Sequence, residues 1–134
     1  MKTIDFIFTS DRFNVSERKE YFINDRCYGD DLARWLVERL RSQGLIASEP
    51  CQEDWGWCFD VRSEKSSYFI GVGVMDNEEP PPNSQVQWRV FVEKRRGFWE
   101  MLKRSNPFSE TDGLIEILKQ ILASEPGMVL LGIE

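Results

Sequence analysis

Histidine is missing from all 134 residues of this chain. Its absence removes the side chain that most often serves as a general base near neutral pH and as a metal ligand. Ser–His and Cys–His nucleophile pairs are excluded with it, and no Gly-x-Ser-x-Gly turn is present either. Cysteine is sparse, and Cys27, Cys51 and Cys58 form an odd set without a Cys-x-x-Cys pair. The opening Met1-Lys2-Thr3-Ile4-Asp5-Phe6-Ile7-Phe8 has too short an apolar run for a secretory signal. Reduced thiols are therefore expected, each a small buried or half-buried hydrophobe. Three scattered thiols fall short of a zinc site unless carboxylates join them, and neither a metal nor a cofactor is expected. No stretch approaches the roughly 18 apolar residues of a membrane helix, so the expected setting is soluble and cytoplasmic. Excess positive charge is lacking too: 17 Lys and Arg face 23 Asp and Glu, a net charge of −6. That balance argues against generic nucleic-acid binding, which draws much of its affinity from phosphate neutralisation, and suits a basic partner.

The chain has the length of one domain, residues 1–134, with enough residues to bury a core without staples. Thr3 to Thr9 alternates around Ile4, Phe6 and Phe8 and predicts a strand, and Tyr21-Phe22-Ile23 predicts a short second one. Asp30 and Asp31 open the clearest element: Leu32, Trp35, Leu36 and Leu40 follow at helical spacing, and Gly44 stops the helix, expected over residues 31–43. Either aspartate can cap the first turn, and both favour the positive end of the helix dipole. Leu45-Ile46-Ala47 can add a short extended piece.

Alternation places Trp55, Trp57, Phe59 and Val61 on one face of the next strand, with Gly56, Cys58, Asp60 and Arg62 opposite. Tyr68 to Val74 predicts another strand, whose glycines Gly71 and Gly73 share a face and let something large approach there. They lack the third glycine and following helix of a dinucleotide site. Residues 76–83, with three consecutive prolines, must be a loop. Val86, Trp88, Val90 and Val92 predict a strand, and Leu114, Ile115, Leu118, Ile121 and Leu122 a second amphipathic helix between the Thr111-Asp112-Gly113 cap region and Glu125-Pro126-Gly127. Met128 to Ile133 is apolar enough for a central or covered strand. The expected fold is α+β, in the order β-β-α-β-β-β-α-β, with a mainly antiparallel sheet covered by two amphipathic helices.

The densest chemistry lies in Glu53-Asp54-Trp55-Gly56-Trp57, which joins two carboxylates to two of the five tryptophans. Together with Gly29-Asp30-Asp31-Leu32-Ala33-Arg34-Trp35-Leu36, Glu49-Pro50 and the late Glu125-Pro126-Gly127, it resembles a family of small uncharacterised single-domain bacterial proteins. The resemblance runs from about residue 22 to the end. It implies a bacterial single-domain protein and transfers no activity, cofactor or catalytic residue.

Two readings of the acidic cluster follow. Asp30, Asp31, Glu49, Glu53 and Asp54 can be a helix cap and a solvated loop above a tryptophan core. Alternatively, helix start and strand start meet, and Trp55 and Trp57 floor an acidic pocket for a cation, an amine or a Lys or Arg side chain. Hard-metal binding is disfavoured, because no Asp-x-Asp-x-Asp spacing is present. Lys94, Arg95 and Arg96, with Arg89, Lys103 and Arg104 and the aromatics Phe98 and Trp99, form a second candidate interaction patch, or else a solvated strand end. The expected function is non-catalytic protein–protein interaction, of inhibitor, immunity or anti-defence type. The alternative is a small-molecule or cation-binding domain using the acidic, Trp-lined pocket. The sequence implies no oligomeric state.

Overall fold

A computed structural model describes residues 3–15, 17, 19–23, 27–64, 66–75, 86–95 and 112–134. The elements run β1 (Thr3–Ser10), α1 (Asp30–Ser42), β2 (Ile46–Ala47), β3 (Cys51–Glu53), β4 (Gly56–Arg62), β5 (Ser67–Val74), β6 (Gln87–Arg95), α2 (Gly113–Ser124) and β7 (Met128–Ile133). The strands form one sheet in the order β2-β4-β5-β6-β1-β7, with β3 also paired to β4. Every pairing is antiparallel. The α+β class holds, but the order differs from the expected one.

Period-two alternation gives the sheet a buried face. Ile4, Phe6 and Phe8 of β1, Trp57, Phe59 and Val61 of β4, Ile70 and Val72 of β5, and Trp88, Val90 and Val92 of β6 join one hydrophobic core. Leu32, Ala33, Leu36, Val37 and Leu40 of α1 and Leu114, Ile115, Leu118 and Leu122 of α2 bury the facing stripes. The residues between them in sequence, including Asp5 and Ile7 of β1, Phe69 and Gly71 of β5, and Arg89, Phe91 and Glu93 of β6, belong to the opposite, open face.

Three expectations need correction. Tyr21-Phe22-Ile23 is a turn and bend rather than a strand. Its polar groups are taken by a side chain: Gln52 Nε2 donates to the Tyr21 carbonyl at 2.7 Å, and the Ile23 N–H donates to Gln52 Oε1 at 2.6 Å. Three apolar residues in a row thus reflect Phe22 entering the core, not a ladder. Next, α1 begins at Asp30 rather than at residue 31, with Gly29 as its N-cap. Of the two aspartates, Asp31 accepts from a free first-turn N–H, that of Leu32 at 2.9 Å, and both suit the dipole there. Finally, β7 is an edge, not a central or covered strand: Val129 and Leu131 are 55% and 53% exposed, while Met128 is buried. Apolar residues in succession cannot by themselves distinguish a strand covered on both faces from one covered on one face.

The cap of α2 matches expectation, with Asp112 accepting from the Leu114 N–H at 3.0 Å. Among the described residues, no helix is long and apolar enough to cross a membrane.

Candidate functional site

The β3–β4 hairpin organises the site. Glu53 pairs with Gly56 across a turn made by Asp54 and Trp55. Gly56 has φ 153°, and a Cβ there would lie 2.2 Å from the Val72 carbonyl oxygen, so only glycine lets the strands approach this closely. The turn separates the two tryptophans. Trp57 lies in the strand and enters the core, where its Nε1–H donates to the Cys27 carbonyl at 2.8 Å and its ring meets Tyr21 and Phe22 edge-on. Trp55 precedes the strand and falls over the open face, 45% exposed, with its ring centroid 5.2 Å from that of Phe91. Strand alternation from Trp55 to Trp57 fails because the strand begins only at Gly56.

The glycine face of β5 receives the large group it was expected to admit. A Cβ on Gly71 would stand 2.2 Å from Phe91 Cζ and 2.7 Å from Trp55 Cη2. Trp55, Phe69, Phe91 and Gly73, with Glu53, Arg89 and Glu93, line a concavity of about 660 Å³ on the open face. Arg89 lies over the Phe91 ring at 4.8 Å and is held by Asp5 at 2.8 Å. Arg95 is likewise paired, with Asp60 at 2.9 Å. Glu53 and Glu93 have no ion-pair partner among the described residues, so the unbalanced charge of the concavity is negative. Phe69, Phe91 and Glu93 carried no signal of their own in the sequence, and Arg89 was counted with the second, basic patch. The available signal was phase: in β6 Arg89, Phe91 and Glu93 alternate with the buried Trp88, Val90 and Val92, and Phe91 and Arg89 lie opposite Gly71 and Gly73 of β5.

Asp30 and Asp31 lie on the other side of the sheet and do not share this concavity. Asp30 is buried and accepts a hydrogen bond from the Tyr21 hydroxyl. That bond to a carboxylate, with some burial added, holds the Tyr21 phenol above its ordinary pKa. Asp31 accepts from the Asn14 N–H and from the Leu32 N–H, both at 2.9 Å. The two aspartates therefore tie the β1–α1 connection to the helix start. Helix start and strand start do meet, since a Cβ on Gly29 would be 3.7 Å from the Trp57 ring. The sheet nevertheless divides the six expected residues: Asp30, Asp31 and Trp57 lie on the core side, Glu53 and Trp55 border the open face, and Asp54 is exposed in the turn.

The second expected patch is divided as well. Lys94 is buried on the core face against Asp112, and Arg95 points to the open face, its guanidinium 5.8 Å from the Phe69 ring. Arg96, Phe98, Trp99, Lys103 and Arg104 lie outside the described residues.

The glycine gap yields a prediction. Gly71→Ala should push Phe91 and Trp55 outward, because the clashing atoms are ring edges rather than backbone. The expected cost is about 1–2 kcal/mol in urea unfolding, with stronger acrylamide quenching of tryptophan emission. Unchanged quenching and stability would contradict the seating of Trp55 described above.

No family model, curated protein or solved structure matches the chain. Among the described residues, no three His, Cys, Asp or Glu side chains are grouped to hold a metal ion.

Proposed function

We propose that this protein acts by non-catalytic protein–protein interaction and that the open sheet face around Trp55 is the docking surface. The observation that carries this reading is a half-exposed tryptophan, propped on Phe91 above two glycines and flanked by Glu53 and Glu93, carboxylates without an ion-pair partner among the described residues. Aromatic side chains at a concave site are characteristic anchors of protein interfaces. The negative rim favours a partner segment that offers Lys or Arg, whose cationic head would gain roughly 0.5–2 kcal/mol over an aromatic ring. An inhibitor, immunity or anti-defence role fits such a surface on a small acidic chain, and it extends the resemblance to small bacterial proteins by analogy.

A second reading has its own support. The concavity, about 660 Å³, lies within the roughly 300–1,000 Å³ range of small-molecule sites, so a cationic or aromatic metabolite is the alternative ligand.

Affinity capture from a bacterial lysate, with wild type and variants as bait, tests the first reading. Trp55→Ala and Glu93→Lys should each weaken a stoichiometric partner at least about tenfold, while Ile46→Ser, on an exposed edge residue, should not. A partner retained equally by all baits, or none captured, would overturn the docking surface. A metabolite that raises the melting temperature of wild type but not of Trp55→Ala would favour the second reading.

A further inference from the structure

We propose that Cys51 and Cys58 form a reversibly oxidisable pair whose disulfide staples the β3–β4 hairpin that presents Trp55. The two residues are direct partners in the antiparallel β3–β4 register. Directly opposed residues share a face, and their Cα atoms lie about 4.5 or 5.5 Å apart, according to whether the pair exchanges backbone hydrogen bonds. Both separations fall inside the roughly 4.4–6.8 Å range of disulfides, so bridging requires side-chain rotation rather than a change of register. On its other side Cys58 pairs with Gly71, over which the Phe91 and Trp55 rings sit.

The pair is asymmetric. Cys51 is exposed, whereas Cys58 is buried. Burial, and then the neighbouring Glu53 charge, push the Cys58 thiol up to about 11. Cys51 is thus the entry thiol and Cys58 the resolving one. The oxidant is a low-molecular-weight disulfide such as oxidised glutathione. Cys51 thiolate attacks it, forming a mixed disulfide and expelling one thiolate. Cys58, on losing its proton, then attacks the Cys51 sulfur, forming the internal S–S bond and expelling the second thiolate. Two protein thiols are oxidised and one external disulfide is reduced to two thiols, which take up the two protons released.

The third cysteine is kept out of this exchange. Cys27 is fully buried on the opposite side of the hairpin, and its S–H donates to the Glu53 carbonyl at 3.0 Å. The expectation that each cysteine is a small buried or half-buried hydrophobe holds for Cys27 and Cys58, which are buried, but not for Cys51, which is exposed. The ring closed by the bridge contains Glu53, Asp54, Trp55 and Gly56, so oxidation would hold the turn that aims Trp55. The bridge itself stands on register alone and does not depend on what the open face binds.

The test is peptide mapping of the folded, fully reduced protein after exposure to oxidised glutathione. Wild type should lose two hydrogens in mass and give a Cys51–Cys58 cross-linked peptide with Cys27 unmodified, and dithiothreitol should reverse the change. Cys58→Ala, which keeps a small buried apolar residue, should instead accumulate a glutathione adduct on Cys51. Cys51→Ser should react at least about tenfold more slowly than wild type. A persistent adduct on wild-type Cys51, a bridge to Cys27, a dimer linked through Cys51 as the main product, or no reaction would each overturn the proposal.

Discussion

Gly56→Ala is expected to be among the most damaging single substitutions in the described part of the chain. Two independent penalties coincide there. A φ of 153° is a conformation that L side chains rarely adopt, and the new methyl would stand 2.2 Å from the Val72 carbonyl oxygen. Val72 pairs with Trp57 in the β4–β5 ladder, so its carbonyl cannot retreat without disturbing that register. The expected loss is on the order of 3–5 kcal/mol, or a melting temperature lower by roughly 10–20 °C. Gly132→Ala is the internal control, because a Cβ there meets nothing within 4 Å. It should stay within about 0.5 kcal/mol of wild type. Thermal and urea unfolding of both variants by circular dichroism provide the measurement. A Gly56→Ala protein that melts with wild type would mean that the strands do not approach as closely as described.

That same glycine marks where the sequence stops being readable. α1 was visible because Leu32, Leu36 and Leu40 repeat at helical spacing and Gly44 follows them, which are local properties. The inward face of β4, Trp57-x-Phe59-x-Val61, and the shared face of Gly71 and Gly73 were visible for the same reason. Trp55 was misplaced because side-chain alternation says which residues share a face only after the strand's start is known. The start was set by a close backbone contact between Gly56 and Val72 in a different strand.

The candidate site shows this limit most clearly. The sequence left the carboxylates open between a helix cap with a solvated loop and one acidic pocket, because their partners are tertiary. Asp30 is taken by Tyr21, Asp31 by the Asn14 and Leu32 N–H groups, and Gln52, which carried no signal in the sequence, fastens residues 21–23 to β3. What remains available on the open face is Glu53, Glu93 and an aromatic trio drawn from the hairpin turn, β5 and β6. The opposition of Cys51 and Cys58 is of the same kind: seven positions apart, they meet because a two-residue turn sets the register. Local periodicity located the elements, and long-range contacts decided what each polar group was left to do.

Lys94→Met should cost about 3–5 kcal/mol, and the loss should shrink in acid. Lys94 continues the inward phase of Trp88, Val90 and Val92, so its ammonium is carried to the core face, 7% exposed. There it donates to Asp112 Oδ2 at 2.8 Å, while Tyr68 OH at 2.7 Å and the Leu114 N–H at 3.0 Å donate to Oδ1. One carboxylate thus caps α2, neutralises β6 and anchors β5. Burial alone would raise the Asp112 pKa, but hydrogen bonds from Lys94, Tyr68 and the Leu114 N–H outweigh it and hold the carboxyl below its ordinary value. A depressed folded-state pKa contributes stability that is present above the unfolded value, near 3.9, and is lost as pH falls through the folded value. Removing the lysine deletes the counterion and leaves a buried charge, the costly way to break an ion pair. Desolvation then dominates, the Asp112 pKa in the folded variant rises above the unfolded value, and protonation favours folding. The wild type should therefore lose stability below about pH 4 while Lys94→Met gains from the same protonation, and the two urea midpoints should converge. Asp112→Asn removes this titration, so its acid slope should be shallower than that of wild type. Parallel stability curves for wild type and Lys94→Met between pH 3 and 7, as order-of-magnitude bounds on this window, would show that Asp112 does not depend on Lys94 for its charge.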